Sequence, residues 1–239
     1  QWKANGGTTS SNTTGDITTT VQANTTAGFS IMTWTSNNAD NQTLGHGLGA
    51  APEVFWVKLR NATGSWYCYH KEAGATHYIS LNSNGAKVDN VIWGDTAPTS
   101  SVITVDTNSV SGSTPTALTY AWKEIQGYSK FGTYTGNGNA DGAFIYTGFK
   151  PAFFLWKVTN ESGGWGMIDS TRNPTNQGFK QAFPHDTGEG DYAIGDFVSN
   201  GIKMRNTFGD TNGSGDTHIY MAFAENPFVS SEGVPCTAR

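Results

Sequence analysis

The chain has 239 residues, of which only 14% are charged, and 14 Lys plus Arg against 19 Asp plus Glu leave a net charge of −5. That supplies no basic patch for phosphate contacts and argues against nucleic acid as a partner. Aromatics at 13% exclude a disordered chain, and the lack of long Leu/Ala/Glu/Lys stretches excludes a helical bundle and disfavours a doubly wound α/β enzyme.

In chain order, residues 4–27 are rich in Thr, Asn, Ser and Gly with few large apolar side chains. They read as a linker or as an extended strand laid over a neighbour. Residues 29–34 alternate weakly, and Val54–Leu59 reads as a half-buried strand. Further strands are expected over 65–70, 77–81, 101–105 and 118–125, separated by turn signals at 62–64, 82–85 and 108–115. No apolar run approaches the roughly 20 residues of a membrane helix, and no charged-then-apolar leader is visible, so the expectation is a soluble fragment or processed product. Cys68 and Cys236 cannot make a disulfide framework and both read as free thiols.

The same pattern occurs twice. Ala51-Pro52-Glu53-Val54-Phe55-Trp56-Val57-Lys58 returns 99 residues later as Lys150-Pro151-Ala152-Phe153-Phe154-Leu155-Trp156-Lys157. Asn61, Gly64 and Trp66 keep that spacing to Asn160, Gly163 and Trp165. Thr33-Trp34-Thr35 faces Thr133-Tyr134-Thr135, and Ala121-Trp122-Lys123-Glu124 faces Ala222-Phe223-Ala224-Glu225. Small drifts in spacing are what loop insertions between shared strands produce. Gln1-Trp2-Lys3 is similar to Ala121-Trp122-Lys123, as if a preceding repeat ended there.

Short strands with frequent turns point to all-β architecture: two tandem antiparallel β-sandwiches of jelly-roll or lectin-like type, each of about 100 residues. The expected division is 1–27 for the end of a preceding repeat plus linker, 28–128 for repeat 1, 129–228 for repeat 2 and 229–239 for a tail.

Several strings then carry a resemblance: WKANGGTTSSNTTGDITTTVQANTTAGFSI, LGHGLGAAPEVFWVK, Gly94-Asp95-Thr96-Ala97-Pro98-Thr99-Ser100, GYSKFGTYTGNGNADGAFIYTGFKPAF and MAFAENPF. Over nearly the whole chain they resemble the tandem repeat domains of bacteriophage tail-fibre proteins from phages of aquatic bacteria, including cyanobacteria. The ending Gly233-Val234-Pro235-Cys236-Thr237-Ala238-Arg239 is similar to that family's terminus. The resemblance implies a virion surface protein, β-sandwich modules near the host-facing end of a fibre, and a homotrimer. It supplies no catalytic residues.

His46, His70, His77, His185 and His218 show no metal spacing, no nucleophile elbow is present, and no cofactor is expected. Asp169, Asp186, Glu189, Asp191 and Asp196 could pair for glycan hydrolysis or be solvated loop charges. Asp210, Asn212, Ser214 and Asp216 alternate like a calcium loop, but Met221 stands at the twelfth position, and a Gly-rich hairpin turn explains the same letters. Gly45-His46-Gly47-Leu48-Gly49 lacks the Lys-Ser/Thr of a phosphate loop, so its glycines read as permitting unusual backbone or close packing.

Residues alike in both repeats (Phe55 and Phe154, Trp66 and Trp165, Trp122 and Phe223) read as core. Residues that differ read as recognition candidates: Tyr67, Tyr69, His70, Lys71, His77, Tyr78 and Trp93 in repeat 1. In repeat 2 the stretch 170–192 is expected to be a long loop carrying Arg172, Asn173, Asn176, Gln177, Phe183, His185, Asp186, Glu189 and Asp191. Aromatic faces flanked by amides and carboxylates suit a glycan. An ordinary variable loop, or a surface buried against a sister chain, fits the same letters. The leading expectation is a non-enzymatic fibre tip that attaches to a host surface glycan or envelope protein by many weak contacts, outside the cell. A polysaccharide depolymerase and a structural spacer or filament module stand as alternatives.

Overall fold

The computed structural model describes Trp2, Ala4 and residues 6–225, with side chains for all but Phe179 and Lys180. Gln1, Lys3, the expected tail 229–239 and Cys236 lie outside the described residues. The fold is all-β, 44% strand and 3% helix. It divides into two units, residues up to Ser80 with Lys87–Glu124, and Leu81–Ala86 with residues from Ile125 on. Every ladder between named strands is antiparallel among the described residues.

The first unit contains β1 (Ser10–Asn12), β2 (Thr19–Asn24), β3 (Phe29–Thr35), β4 (Gln42–Gly45), β5 (Val54–Leu59), β6 (Tyr67–His70), β7 (His77–Ser80), β8 (Val88–Asp89), β9 (Val102–Val105) and β10 (Thr116–Trp122). The large sheet runs β1-β2-β3-β10-β5-β6-β7-β8, and β4 pairs with β9 as a separate ribbon. Of the two readings of 4–27, the extended strand holds at β2, which pairs with β3 from Thr20 to Asn24, and the linker reading is corrected there. Thr19 and Val21 point inward while Thr18 and Thr20 face solvent. That is the period of a half-buried strand, and β-branched Thr suits it.

Met32, Phe55, Val57 and Ala121 of the large sheet pack with Leu44, Ile103 and Val105 of the ribbon. Phe55 stacks on Tyr69 at 4.7 Å and meets the edge of Trp93, also at 4.7 Å. His46 is buried, and its Nδ1 accepts from Leu48 N–H at 3.1 Å, so the ring proton sits on Nε2 and faces Thr99 O at 3.2 Å. Burial pushes its pKa below the usual histidine value. Gly45 is packed beneath Asn12, where a Cβ would lie 2.2 Å from Oδ1, and Gly47 holds a positive φ of 71°. The glycines of this segment thus serve backbone geometry and close approach.

The second unit contains β11 (Ser129–Thr135), β12 (Phe144–Tyr146), β13 (Pro151–Val158), β14 (Trp165–Asp169), β15 (Gln177–Ala182), β16 (Glu189–Val198), β17 (Gly201–Met204), the short helix α1 (Gly209–Asn212) and β18 (Thr217–Ala224). Its sheet runs β11-β18-β13-β14-β15-β16-β17-β12, and one sheet of the fold is nearly closed like a barrel. The order β3-β10-β5-β6-β7-β8 of the first unit therefore recurs as β11-β18-β13-β14-β15-β16.

Register recurs as well. Ala121 lies between Ser30 and Phe55, as Ala222 lies between Lys130 and Phe154. The repeated asparagines make the same bond: Asn61 Oδ1 accepts from Thr116 N–H at 2.9 Å, and Asn160 Oδ1 from Thr217 N–H at 2.8 Å. The difference is β16, which at ten residues reaches past β15 to pair with β17. It joins the ribbon β12–β17 to the sheet, where the first unit leaves β4–β9 apart.

Cross-strand volume is conserved by exchange. Val57 faces Tyr67 in the first unit, and Trp156 faces Gly166 at the matching positions of the second. A Cβ on Gly166 would lie 2.3 Å from Trp156 Cζ2, and the indole is pinned because its Nε1 donates to Asp210 O at 2.8 Å. Gly166→Ala is expected to destabilise the second unit by about 2 kcal/mol through overpacking. Urea unfolding checks this, and an unchanged midpoint would mean the ring yields freely.

Candidate functional site

The recognition candidates of the first unit do not share one surface. Trp93 is fully buried, and Tyr69 and His70 are nearly so. Assigning these three to ligand contact is corrected: Tyr69 and Trp93 complete the core around Phe55, and His70 Nδ1 accepts from Glu72 N–H at 3.2 Å. Tyr67 and Tyr78 remain half-buried and pack edge to face at 5.1 Å. Lys71 is ion-paired with Glu124 at 3.0 Å, and the His77 ring contacts Thr76 Oγ1.

In the second unit the expected loop 170–192 is largely a hairpin of β15 and β16. Gly and polar residues are scattered through both strands without alternation, so the apolar residues show no strand period. Asn173 is buried and its Nδ2 donates to Asp169 O, which corrects its assignment as a ligand group. Arg172 pairs with Asp169 at 3.2 Å and with Glu189 at 3.5 Å. Asn176, Gln177, Asp186, Glu189 and Asp191 are exposed; Phe183 and His185 are half-buried, and His185 Nδ1 accepts from Trp165 N–H.

Of the two readings of 210–216, the Gly-rich hairpin turn is corrected in part to a short helix, and the calcium-like alternation is broken up with it. Asp210 and Asn212 lie in α1, and Asn212 is fully buried. Its Nδ2 faces Asn137 Oδ1 at 2.9 Å, Asn139 O at 2.8 Å and Asn206 O at 2.7 Å, while Oδ1 accepts from Asn137 N–H at 3.1 Å and Ala143 N–H at 3.4 Å. Ser214 is exposed, and Asp216 Oδ1 accepts from Asn160 Nδ2 at 3.3 Å. Among the described residues no group of three or more His, Cys, Asp or Glu could hold a metal ion.

A helix of four residues leaves its carbonyls without partners inside the helix. Three rings face three successive ones here: His218 Nε2 lies 3.1 Å from Gly209 O, Trp156 Nε1 donates to Asp210 O, and Tyr134 hydroxyl donates to Thr211 O at 2.8 Å. His218 stacks on Tyr134 at 4.6 Å, and burial lowers the imidazole pKa and raises that of the phenol. With Asn212, these rings fix the loops 136–143 and 206–216 against the sheet.

Those loops frame an open face of which the sequence candidates include only Asp196. On the edge strand β12, Ile145 points into the core, while Phe144 and Tyr146 face solvent at 48% and 64% exposure. Residues two apart on a strand share a face and stand about 7 Å apart. Across the ribbon, Phe144 is opposite Lys203, which is opposite Asp196; Tyr146 is opposite Gly201, which is opposite Val198. Gly201 leaves room for the rings, since a Cβ there would lie 2.1 Å from Ile145 O and 3.1 Å from Phe144 Cε2.

Beside the rings, Lys203 Nζ lies 2.8 Å from Asp141 Oδ1 and donates to Gly142 O at 2.6 Å. Arg205 Nε donates to Asp196 Oδ2 at 2.6 Å, with Nη1 3.9 Å from Asp141. The hydrogen bond from Lys203 holds the Asp141 carboxyl below its usual pKa. A second exposed aromatic pair, Tyr192 and Phe208, meets edge to face at 5.6 Å in the same unit.

The face thus combines flat apolar surfaces with oriented acceptors and donors, the set that covers a sugar ring and bonds its hydroxyls. One signal could have found it. At the positions matching Phe144 and Tyr146 the first repeat has Thr43 and Gly45, so both aromatics belong among the residues that differ between repeats.

No curated protein and no solved structure matches the chain. A family model described as a domain of unknown function, DUF7483, matches residues 1–227, both units together, and the chain belongs to that family.

Proposed function

We propose that the chain is a binding module, not an enzyme, that attaches a virion fibre to a glycan on the host cell surface. In this reading the two units are tandem β-sandwich repeats of jelly-roll or lectin-like type, assembled as a homotrimer at the extracellular end of a phage tail fibre. The observation that carries it is the pair of exposed rings, Phe144 and Tyr146, on an edge strand beside ordered carboxylate and guanidinium groups. The resemblance of the sequence to tail-fibre repeats gives the setting. Several copies on one fibre raise the effective concentration, so each contact can be weak and reversible.

The test is attachment of the purified chain to candidate host cells, competed with their soluble envelope polysaccharide, while new reducing ends are followed. Tyr146→Ala is expected to weaken competed binding about tenfold, the effect of removing one well-placed aromatic contact. The melting curve should stay unchanged, because the side chain is exposed. Released reducing ends would favour a depolymerase. Absence of binding by the assembled oligomer to any host would sink the attachment reading in favour of a structural module.

A further inference from the structure

We propose that the ligand of the Phe144–Tyr146 face is an uncharged glycan, bound once per chain; this rests on the glycan reading above and narrows it. The first argument is charge. Among the described residues, the register sets Lys203 and Asp196 in line with Phe144, and the two cations there are already matched: Lys203 with Asp141, Arg205 with Asp196. The row carries no surplus positive charge.

A sugar hydroxyl can donate to a carboxylate lone pair that the ion pairs leave open, and can accept from guanidinium N–H groups that Asp196 does not use. Neither contact breaks an existing bond. A uronate or sulfate seated on the same rings would have to take a cation from its partner and would then confront Asp141 or Asp196. The net charge of −5 on the chain opposes the approach of a polyanion further.

The second argument is comparison between the units. The first unit has Thr43 and Gly45 where the second has Phe144 and Tyr146. Thr43 Oγ1 donates to Asp16 Oδ2 at 2.6 Å, and Asn12 covers Gly45. Lys203 and Arg205 are matched by Thr104 and Asp106. The first unit therefore has neither rings nor cations there, and the face exists once.

Titration calorimetry with paired probes tests this: oligomers of glucose, mannose and galactose against oligoglucuronate, oligomannuronate and oligogalacturonate, on wild type and Tyr146→Ala. The expected result is a neutral oligomer binding at one per chain, at least tenfold weaker in Tyr146→Ala, with its uronate counterpart at least tenfold weaker. Affinity should stay flat from about 0.05 to 0.5 M salt, since no net charge is screened. Equal or tighter uronate binding through Tyr146 would overturn the charge argument and leave the glycan reading standing. Two sites per chain would overturn the single-site argument. If no oligomer of either kind titrates, the inference and the glycan reading fall together. If Tyr146→Ala changes sedimentation rather than sugar binding, the face joins copies of the chain and the inference is overturned.

Discussion

Asn212→Ala is expected to destabilise the second unit by about 3 kcal/mol, because it strips buried backbone groups of their partners rather than removing apolar contact. The amide faces Asn139 O, Asn206 O and Asn137 Oδ1 with its nitrogen, and accepts from Asn137 and Ala143 N–H with its oxygen. Water can reach the exposed Asn137 and Asn139, but Asn206 is buried and Ala143 half-buried, so their groups lose most. Asn212→Asp should be no milder: it keeps an acceptor but turns a carboxylate toward oxygens that need donors.

The effect should also be local. Gly136 and Gly138 pack against Gly213 and Ser214 so closely that a Cβ on either would lie within 2.8 Å of them. Once the amide is gone, loops 136–143 and 206–216 should lose hydrogen-exchange protection together. Asp141 lies in the first of these loops, so sugar binding should weaken in parallel. A loss under about 1 kcal/mol by urea unfolding would show that water replaces the amide, and the network would then be incidental.

How much of this was legible in the sequence depends on what each residue had to signal. Val54–Leu59 was readable to the residue, because an apolar strand between turn signals has few other solutions. The repeat exposed shared packing, and Phe55, Phe154, Trp122 and Phe223 are buried as expected, with Trp165, while Trp66 is half-buried and stacks on Tyr120. The strand β2 could not be told from a linker because TTVQAN carries its inward face on Thr19 and Val21, and a Thr-rich stretch suits either reading.

Taking every difference between repeats as recognition misled at Tyr69 and Trp93. There the difference is volume exchange in the core: Tyr69 stands where the second unit has Ile168. Differences mark recognition only where the fold also exposes them, as at Phe144 and Tyr146, and exposure of a three-residue strand between Gly-rich loops has no periodicity to announce it. The role of Asn212 was equally silent. A buried amide that serves two loops more than 60 residues apart in sequence looks, in the letters, like any turn asparagine.

Lys157→Met is expected to raise stability by about 3 kcal/mol at neutral pH, since the ammonium is fully buried and its pKa is lowered from 10.5 to about 8. Burial is the main cause; Asp210 and Glu161 oppose it without forming a close pair. Unfolded, the amine keeps its proton up to about pH 10.5, so between about pH 8 and 10.5 the unfolded chain binds one proton more than the folded one. The wild type should therefore gain stability as pH rises through that window, and the penalty is fully present below it. Methionine has similar length and no charge to desolvate, so its curve should lack that rise and the two proteins should converge near pH 11. The same ammonium helps keep His218 neutral, behind the larger effect of burial, so the variant should also show a slightly higher His218 pKa by NMR. Urea unfolding across the pH range decides the matter. A variant less stable than wild type at pH 7, with the same slope above pH 8, would mean that the bond from Nζ to Val158 O and the field of Asp210 and Glu161 outweigh burial.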